Sequence, residues 1–209
     1  MKTPFSIIIL ILFLTCTLRA QQTDSTDGNS WKFSAEAFNY LIPDNYIFLP
    51  ILKADRRHLH LEARYNYEDL NTASTWLGYN FNGGNRLAYS ITPMIGAAFG
   101  NSNGLAPGLE FDLTYNQFEL SSESEYLMDL QDISNSFFYM WTDLTYSPAE
   151  WLWFGISTQR TRLYKTDLDL QRGLLLGGGW KNWEFTGYVY NLGFRQPIVL
   201  LSLVFNFPD

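Results

Sequence analysis

His58 and His60 are the chain's two histidines. Their spacing puts both imidazoles on one face of an extended strand, with Glu62 two residues further on. Two imidazoles and a carboxylate are a donor set for zinc, or they supply a general base. A hydrolase would also need a hydroxyl within reach of a histidine. Ser34, Ser90 and Ser157 offer one, and nothing in their order selects among them. The plainer alternative is a row of polar side chains bonded to their neighbours. We adopt that alternative, and expect no metal, no cofactor and no catalytic residue.

The remaining candidates are mostly acids. Glu62, Glu110, Asp112, Glu119, Glu123, Glu125, Asp143 and Glu184, together with Arg64, occupy the polar positions of alternating segments. Lys32 and Glu36 join them if residues 31–40 form a strand. Composition limits what such a set can meet. A net charge of -7 and a pI of 4.8 repel phosphate, so nucleic acid is not an expected partner. With 16 Phe, 13 Tyr and 7 Trp in 209 residues, the chain is too aromatic to stay unfolded. Mean hydropathy is nonetheless near neutral at -0.12, so apolar and polar residues are sorted at a short period.

That period is two. From Leu59 every second residue is apolar: Leu59, Leu61, Ala63, Tyr65, Tyr67, with His58, His60, Glu62, Arg64 and Asn66 between them. Further rows include Thr75 to Phe81, Leu87 to Phe99, Leu109 to Tyr115 and Phe118 to Tyr126. They continue through Phe138 to Tyr146, Leu152 to Thr158, Leu174 to Trp180, Trp183 to Val189 and Val199 to Phe207. None of these ten rows carries a charge. The opposite face holds Glu119, Glu123 and Glu125 side by side, which cannot form a dry apolar core. The apolar rows together are too large to face water. Both faces are accommodated in a closed antiparallel up-and-down transmembrane β-barrel, with the apolar rows toward lipid and the polar rows inside.

Connection lengths follow the same plan. Counting back from the C-terminus, longer loops at residues 191–196, 160–171, 130–136, 100–106 and 68–73 alternate with short turns. The turns fall at 181–182, 147–150, 116–117 and 82–85. Aromatics frame those turns: Tyr79 and Phe81, Tyr115 and Phe118, Tyr146 and Trp151, Trp180 and Trp183, with Phe205 and Phe207 at the same height. Such a row is the expected interfacial girdle.

On this pattern, from Trp31 to Phe207, the chain resembles small bacterial outer-membrane β-barrel proteins. The resemblance implies export, insertion by the barrel-assembly machinery and contact with outer-membrane lipid. Many such proteins finish on the final aromatic, whereas here Pro208 and Asp209 follow Phe207.

Twelve strands are expected, the first pair at residues 31–40 and 46–52. Pro50 and the unbroken apolar run of residues 47–52 argue instead for ten strands, with this segment packed inside or below the barrel. Residues 1–20 read as a cleavable export signal: Lys2, then an apolar run at 7–14, then Ala20 before polar Gln21 and Gln22. Cys16 lies in that segment. Residues 21–30 read as a flexible leader and 31–209 as the barrel. Arg160 and Arg162 are expected at head-group height, near lipopolysaccharide phosphates. Gly173, Gly177, Gly178 and Gly179 are expected to permit strand curvature.

The functional expectation is a narrow, cation-preferring passive pore, or else a closed structural barrel. His58, His60, Glu62, Arg64, Glu110, Asp112, Glu119, Glu123, Glu125 and Asp143 are the expected lumen-lining residues. Alternatives are an outer-membrane lipid-modifying hydrolase, or a secreted lipocalin-like barrel with its apolar rows facing inward.

Overall fold

The computed structural model describes residues 30–42, 45–164, 169–194 and 196–208. The expected export signal and nearly all of the leader lie outside the described residues. Thirteen strands run in order among them: β1 (Lys32–Ile42), β2 (Asn45–Arg56), β3 (Leu59–Tyr65), β4 (Thr72–Tyr79), β5 (Phe81–Gly83), β6 (Ala88–Gly100) and β7 (Gly104–Tyr115). There follow β8 (Phe118–Asp129), β9 (Phe137–Ala149), β10 (Leu152–Arg160), β11 (Gln171–Trp180), β12 (Trp183–Tyr190) and β13 (Ile198–Asn206). Apart from β4 and β5, which both pair with β6, each strand pairs antiparallel with its neighbour in sequence, and β1 pairs with β13, so the sheet closes.

The short β5 is the continuation of β4. The β4–β6 ladder runs from Thr72↔Gly100 to Gly78↔Met94, and the β5–β6 ladder resumes in the same register at Phe81↔Ile91. That register sets Tyr79 opposite Pro93, which has no N–H to donate. The Asn80 amide continues the β3–β4 ladder, donating to the His58 carbonyl at 2.8 Å. β4 and β5 therefore act as one stave, and the barrel has twelve.

Pro50 has a similar effect. It lies within β2 opposite Ala37, but the β2–β3 ladder stops at Ile51↔Arg64, one residue before it. The first half of β2 pairs with β1 alone, where a missing donor costs nothing. The unbroken apolar run beside Pro50 alternates after all in its surroundings. Ile47, Leu49 and Ile51 are buried inside, while Phe48 and Leu52 are exposed outside.

The apolar rows face outward, as Leu77, Ile95, Phe154, Ile156, Leu176 and Phe185 illustrate. Tyr67 departs from its row. Asn66 adopts a left-handed φ of 59° just past β3, and Tyr67 turns inward to become buried. Short turns at one end occupy residues 57–58, 84–87, 116–117, 150–151 and 181–182. Left-handed backbone at Arg57, Gly84, Asn116 and Lys181 makes the reversals. At the other end, residues 101–103 form a tight connection in place of the expected longer loop. There the Asn103 amide donates to the Gly100 carbonyl at 2.7 Å.

The interior falls into two regions. Toward the longer loops it is apolar and aromatic: Phe38, Tyr40, Ile47, Leu49, Ile51, Tyr67, Tyr139, Trp141, Tyr188, Tyr190, Ile198 and Leu200 pack together. The expectation of a polar inner face throughout does not hold for this region. Toward the short turns the interior carries the charges.

Candidate functional site

Arg64 is the centre of the charged region, its side chain wholly enclosed. β3 carries it inward between Glu62 and the buried Tyr67. Its Nε donates to Glu62 Oε2 at 2.5 Å, and its Nη1 donates to Glu123 Oε1 at 2.5 Å and Glu125 Oε2 at 3.2 Å. The guanidinium lies 4.5 Å from the Tyr67 ring centroid and 4.6 Å from that of Trp76. Its flat faces thus take aromatic rings while its edge takes carboxylates, the use to which Arg is better suited than Lys. The Tyr67 hydroxyl donates to Glu123 Oε2 at 2.6 Å.

A second cation lies lower in the barrel. Lys53 Nζ is 3.1 Å from Glu62 Oε1, 3.1 Å from Glu110 Oε1 and 3.6 Å from Glu36 Oε1. Beside it, His60 Nδ1 meets Asp55 Oδ1 at 2.8 Å and His60 Nε2 meets Glu62 Oε1 at 2.9 Å. Asp55 also accepts from Asn80 Nδ2 at 2.7 Å, and Asn80 Oδ1 accepts from Thr92 at 2.7 Å. Carboxylates thus flank both ring nitrogens of His60.

His58 does not accompany His60. It occupies the β2–β3 turn, stacks on outward-facing Tyr79 at 4.9 Å, and places Nδ1 2.9 Å from the Asn80 carbonyl. Among the described residues, His60, Glu62 and Glu110 bring ligand atoms within 4.8 Å of one another, a metal-like grouping. The Lys53 ammonium already stands against both carboxylates of that group.

The other candidates line β7, β8 and β9. Glu110 pairs directly opposite Glu123, Asp112 opposite Ser121, and Ser121 opposite Asp143. Asp112 and Glu119 are exposed at the short-turn end, and the Glu110 and Glu123 side chains are partly open to the same space. Asp143 is held by Trp141 Nε1 at 2.9 Å, Ser157 Oγ at 2.5 Å and the Tyr188 hydroxyl at 3.0 Å. Ser157 also meets the Tyr190 hydroxyl at 2.7 Å. Both of its recorded partners are thus accounted for without a histidine.

Above the charges, side chains from opposite walls touch. Gln159 of β10, completely buried, donates to the Tyr40 hydroxyl of β1 at 2.6 Å and to that of Tyr139 of β9 at 3.4 Å. Tyr67 packs on Tyr139 with ring centroids 4.8 Å apart, and Tyr164 donates to Gln159 Oε1 at 3.0 Å. A barrel of about eight strands is filled by side chains and one of sixteen or more leaves a channel, so twelve falls between. Here side chains fill the interior at the height of Gln159.

The ten aromatics expected as a girdle all lie at the short-turn end. Ring contacts join Tyr79 to Phe81 (4.6 Å), Phe118 to Tyr146 (5.0 Å), Trp183 to Phe205 (4.4 Å) and Phe205 to Phe207 (4.9 Å). Tyr115, Trp151 and Trp180 are exposed beside their turns. Arg160 and Arg162 bond within the protein: Arg160 Nη1 donates to the Phe138 carbonyl at 2.5 Å and Arg162 Nη1 to the Asn135 carbonyl at 2.6 Å.

Lys53, Asp55, Glu68, Tyr67 and Trp76 are site residues that sequence reasoning missed. The polar–apolar–polar order of Lys53, Ala54 and Asp55 was a usable signal for two of them. Glu68 gives none, since it follows the end of β3.

No family model and no curated protein matches the chain. Among solved structures, the KdgM porin in complex with disordered oligogalacturonate is similar at 15% identity with a TM-score of 0.58, covering 84% of this chain and 99% of that one. A KdgM porin structure under that name alone is similar at 16% identity and the same TM-score, again over 84% and 99% of the two chains. The likeness establishes the fold, a closed antiparallel barrel of the kind found in small outer-membrane porins.

Proposed function

We propose that the chain is an integral outer-membrane barrel acting as a narrow, cation-preferring passive pore. The observation that carries this reading is the acidic inner wall of β7 and β8. Asp112 and Glu119 stand open to water there, and Glu110 and Glu123 are partly so. Carboxylates lining a confined aqueous path concentrate cations and repel anions. Such a wall disfavours an acidic sugar oligomer like the oligogalacturonate named with the neighbouring porin.

The outward apolar rows and the ring of aromatics at the short turns support residence in a bilayer, in contact with outer-membrane lipid after insertion by the assembly machinery. The outward direction of those rows is the reverse of a lipocalin-like arrangement. The surroundings of His58, His60 and Ser157 favour a channel over a hydrolase. Membrane fractionation with heat-modifiable gel migration tests the location, and recovery as a detergent-independent soluble monomer would refute it.

A closed structural barrel is the second reading, favoured by the contact of opposite walls at Gln159, Tyr40 and Tyr139. Planar-bilayer recording on the purified protein separates the two. Discrete conductance with a cation-selective reversal potential supports the pore. Silence at every voltage supports the closed barrel.

A further inference from the structure

We propose that Glu68 and Glu125 hold a hard divalent cation of the calcium type inside the barrel. Each residue is 2% exposed, and each carboxylate has one oxygen, Glu68 Oε2 and Glu125 Oε1, that is buried with no hydrogen-bond partner. Their other oxygens are engaged. Glu68 Oε1 accepts from Ser74 Oγ at 2.5 Å and from Trp76 Nε1 at 3.1 Å, while Glu125 Oε2 accepts from Arg64 Nη1 at 3.2 Å. The same Nη1 is 4.0 Å from Glu68 Oε1, so the two carboxylates gather around one nitrogen.

A buried carboxylate oxygen without a partner forgoes the hydration it had in water, and native proteins seldom leave one so. Charge balance points the same way. The Arg64 guanidinium has Glu62, Glu68, Glu110, Glu123 and Glu125 within 4.0 Å. Lys53 compensates Glu62 and Glu110, and the Tyr67 hydroxyl serves Glu123. Glu68 and Glu125 share what remains of a single cation. A divalent ion between them supplies both the missing charge and the missing contacts.

The donor chemistry selects the ion. The two orphaned atoms are carboxylate oxygens, and the Ser74 hydroxyl stands beside Glu68; oxygen-only ligation suits calcium rather than zinc or copper. The grouping of His60, Glu62 and Glu110 is the weaker candidate, because Lys53 fills it. Glu123, whose side chain is 15% exposed, lies between the pair and the short-turn end and shares the same Arg64 nitrogen. Once bound, the ion ties the segment after β3 to β8 across the interior and braces neighbouring Tyr67 against Tyr139. The site is independent of whether the barrel conducts.

Trp76 makes the proposal measurable, since its indole bonds to Glu68 and lies within energy-transfer range of any lanthanide held there. The detergent-folded protein, checked by heat-modifiable migration, is titrated with terbium while tryptophan is excited. We expect sensitised emission that calcium displaces, with terbium affinity falling by about tenfold or more in Glu125→Gln and unchanged in Asp132→Asn, outside the barrel wall. Trp76→Phe should lower the emission, as expected for a donor bonded to Glu68. Absence of both emission and calcium stabilisation in the folded wild type would overturn the proposal in favour of a proton shared between the carboxyls. Equal terbium affinity in wild type and Glu125→Gln would overturn it as well.

Discussion

The indole of Trp76 lies flat against Gly96 across the β4–β6 ladder, so closely that a methyl group added at Gly96 would come within 2.4 Å of the Trp76 Cδ2. Gly108 of β7 receives the far edge of the same ring, where an added methyl group would lie 2.8 Å from Cζ3. Two missing side chains on adjacent strands thus seat the large ring that backs Arg64. Gly96→Ala should force the ring off its seat and destabilise the barrel by about 1–3 kcal/mol, as overpacking does. Urea unfolding in lipid vesicles, followed by tryptophan fluorescence, reads this. An unchanged midpoint would show that the ring is free to move.

Arg64 compensates more buried negative charge than any other described residue. Arg64→Met should cost about 3–5 kcal/mol, because it leaves Glu62, Glu123 and Glu125 facing one another without a counter-charge. Arg64→Lys keeps the charge but loses the fork and the stacking on Tyr67 and Trp76, and should fall between the two. Melting temperatures from the gel-shift assay rank the three proteins. A methionine variant as stable as the wild type would mean that the carboxylates take up protons at no cost.

The layer at Gln159 should limit conduction. Tyr139→Ala removes the ring that meets both Tyr67 and Gln159, so single-channel conductance should rise. The truncation should also cost about 3–5 kcal/mol for the cavity it leaves. Changing Glu119, Glu123 and Glu125 together to Gln should leave the opening as it is and weaken cation preference. If the tyrosine change leaves conductance at the wild-type level, the narrowest point is elsewhere.

Asp132 gives a pH-dependent prediction outside the barrel wall. It caps the short helical turn Ile133–Asn135, accepting from the Ser134 hydroxyl at 2.7 Å and from the Ser134 amide at 2.9 Å. Those bonds hold its carboxyl below the ordinary aspartate value, the hydroxyl contributing most. A carboxyl depressed in the folded turn favours that turn above the unfolded value of about 3.9. The advantage fades as pH falls below this and is gone below the depressed value. Protection of the Ser134 amide, measured against its intrinsic exchange rate at each pH, should therefore fall in acid, and Asp132→Asn should remove that pH dependence.

What the sequence determined by itself is whatever repeats locally. Alternation from Leu59 to Tyr65 assigns each side chain to one face of its own strand, whatever that strand later meets, and the turns at Asn116 and Lys181 follow from neighbours in the chain. The outward rows, the aromatic ring at the short turns and the twelve-stave count were legible for that reason. Pro50 was legible as an obstacle, but only the pairing showed it placed where β3 has already stopped bonding to β2.

The site is different, because it is made by closure. Arg64 and Glu123 stand 59 positions apart, and nothing near either one announces the other. His58 and His60 share a parity, yet the turn at Arg57 leaves one outside on Tyr79 and the other inside on Asp55. The left-handed Asn66 swings Tyr67 and Glu68 inward from a stretch that reads as loop. The apolar upper interior was hidden because, in β2, residues facing outward and residues facing the core are equally apolar. Period two reports that two faces differ, and it is silent where both are dry.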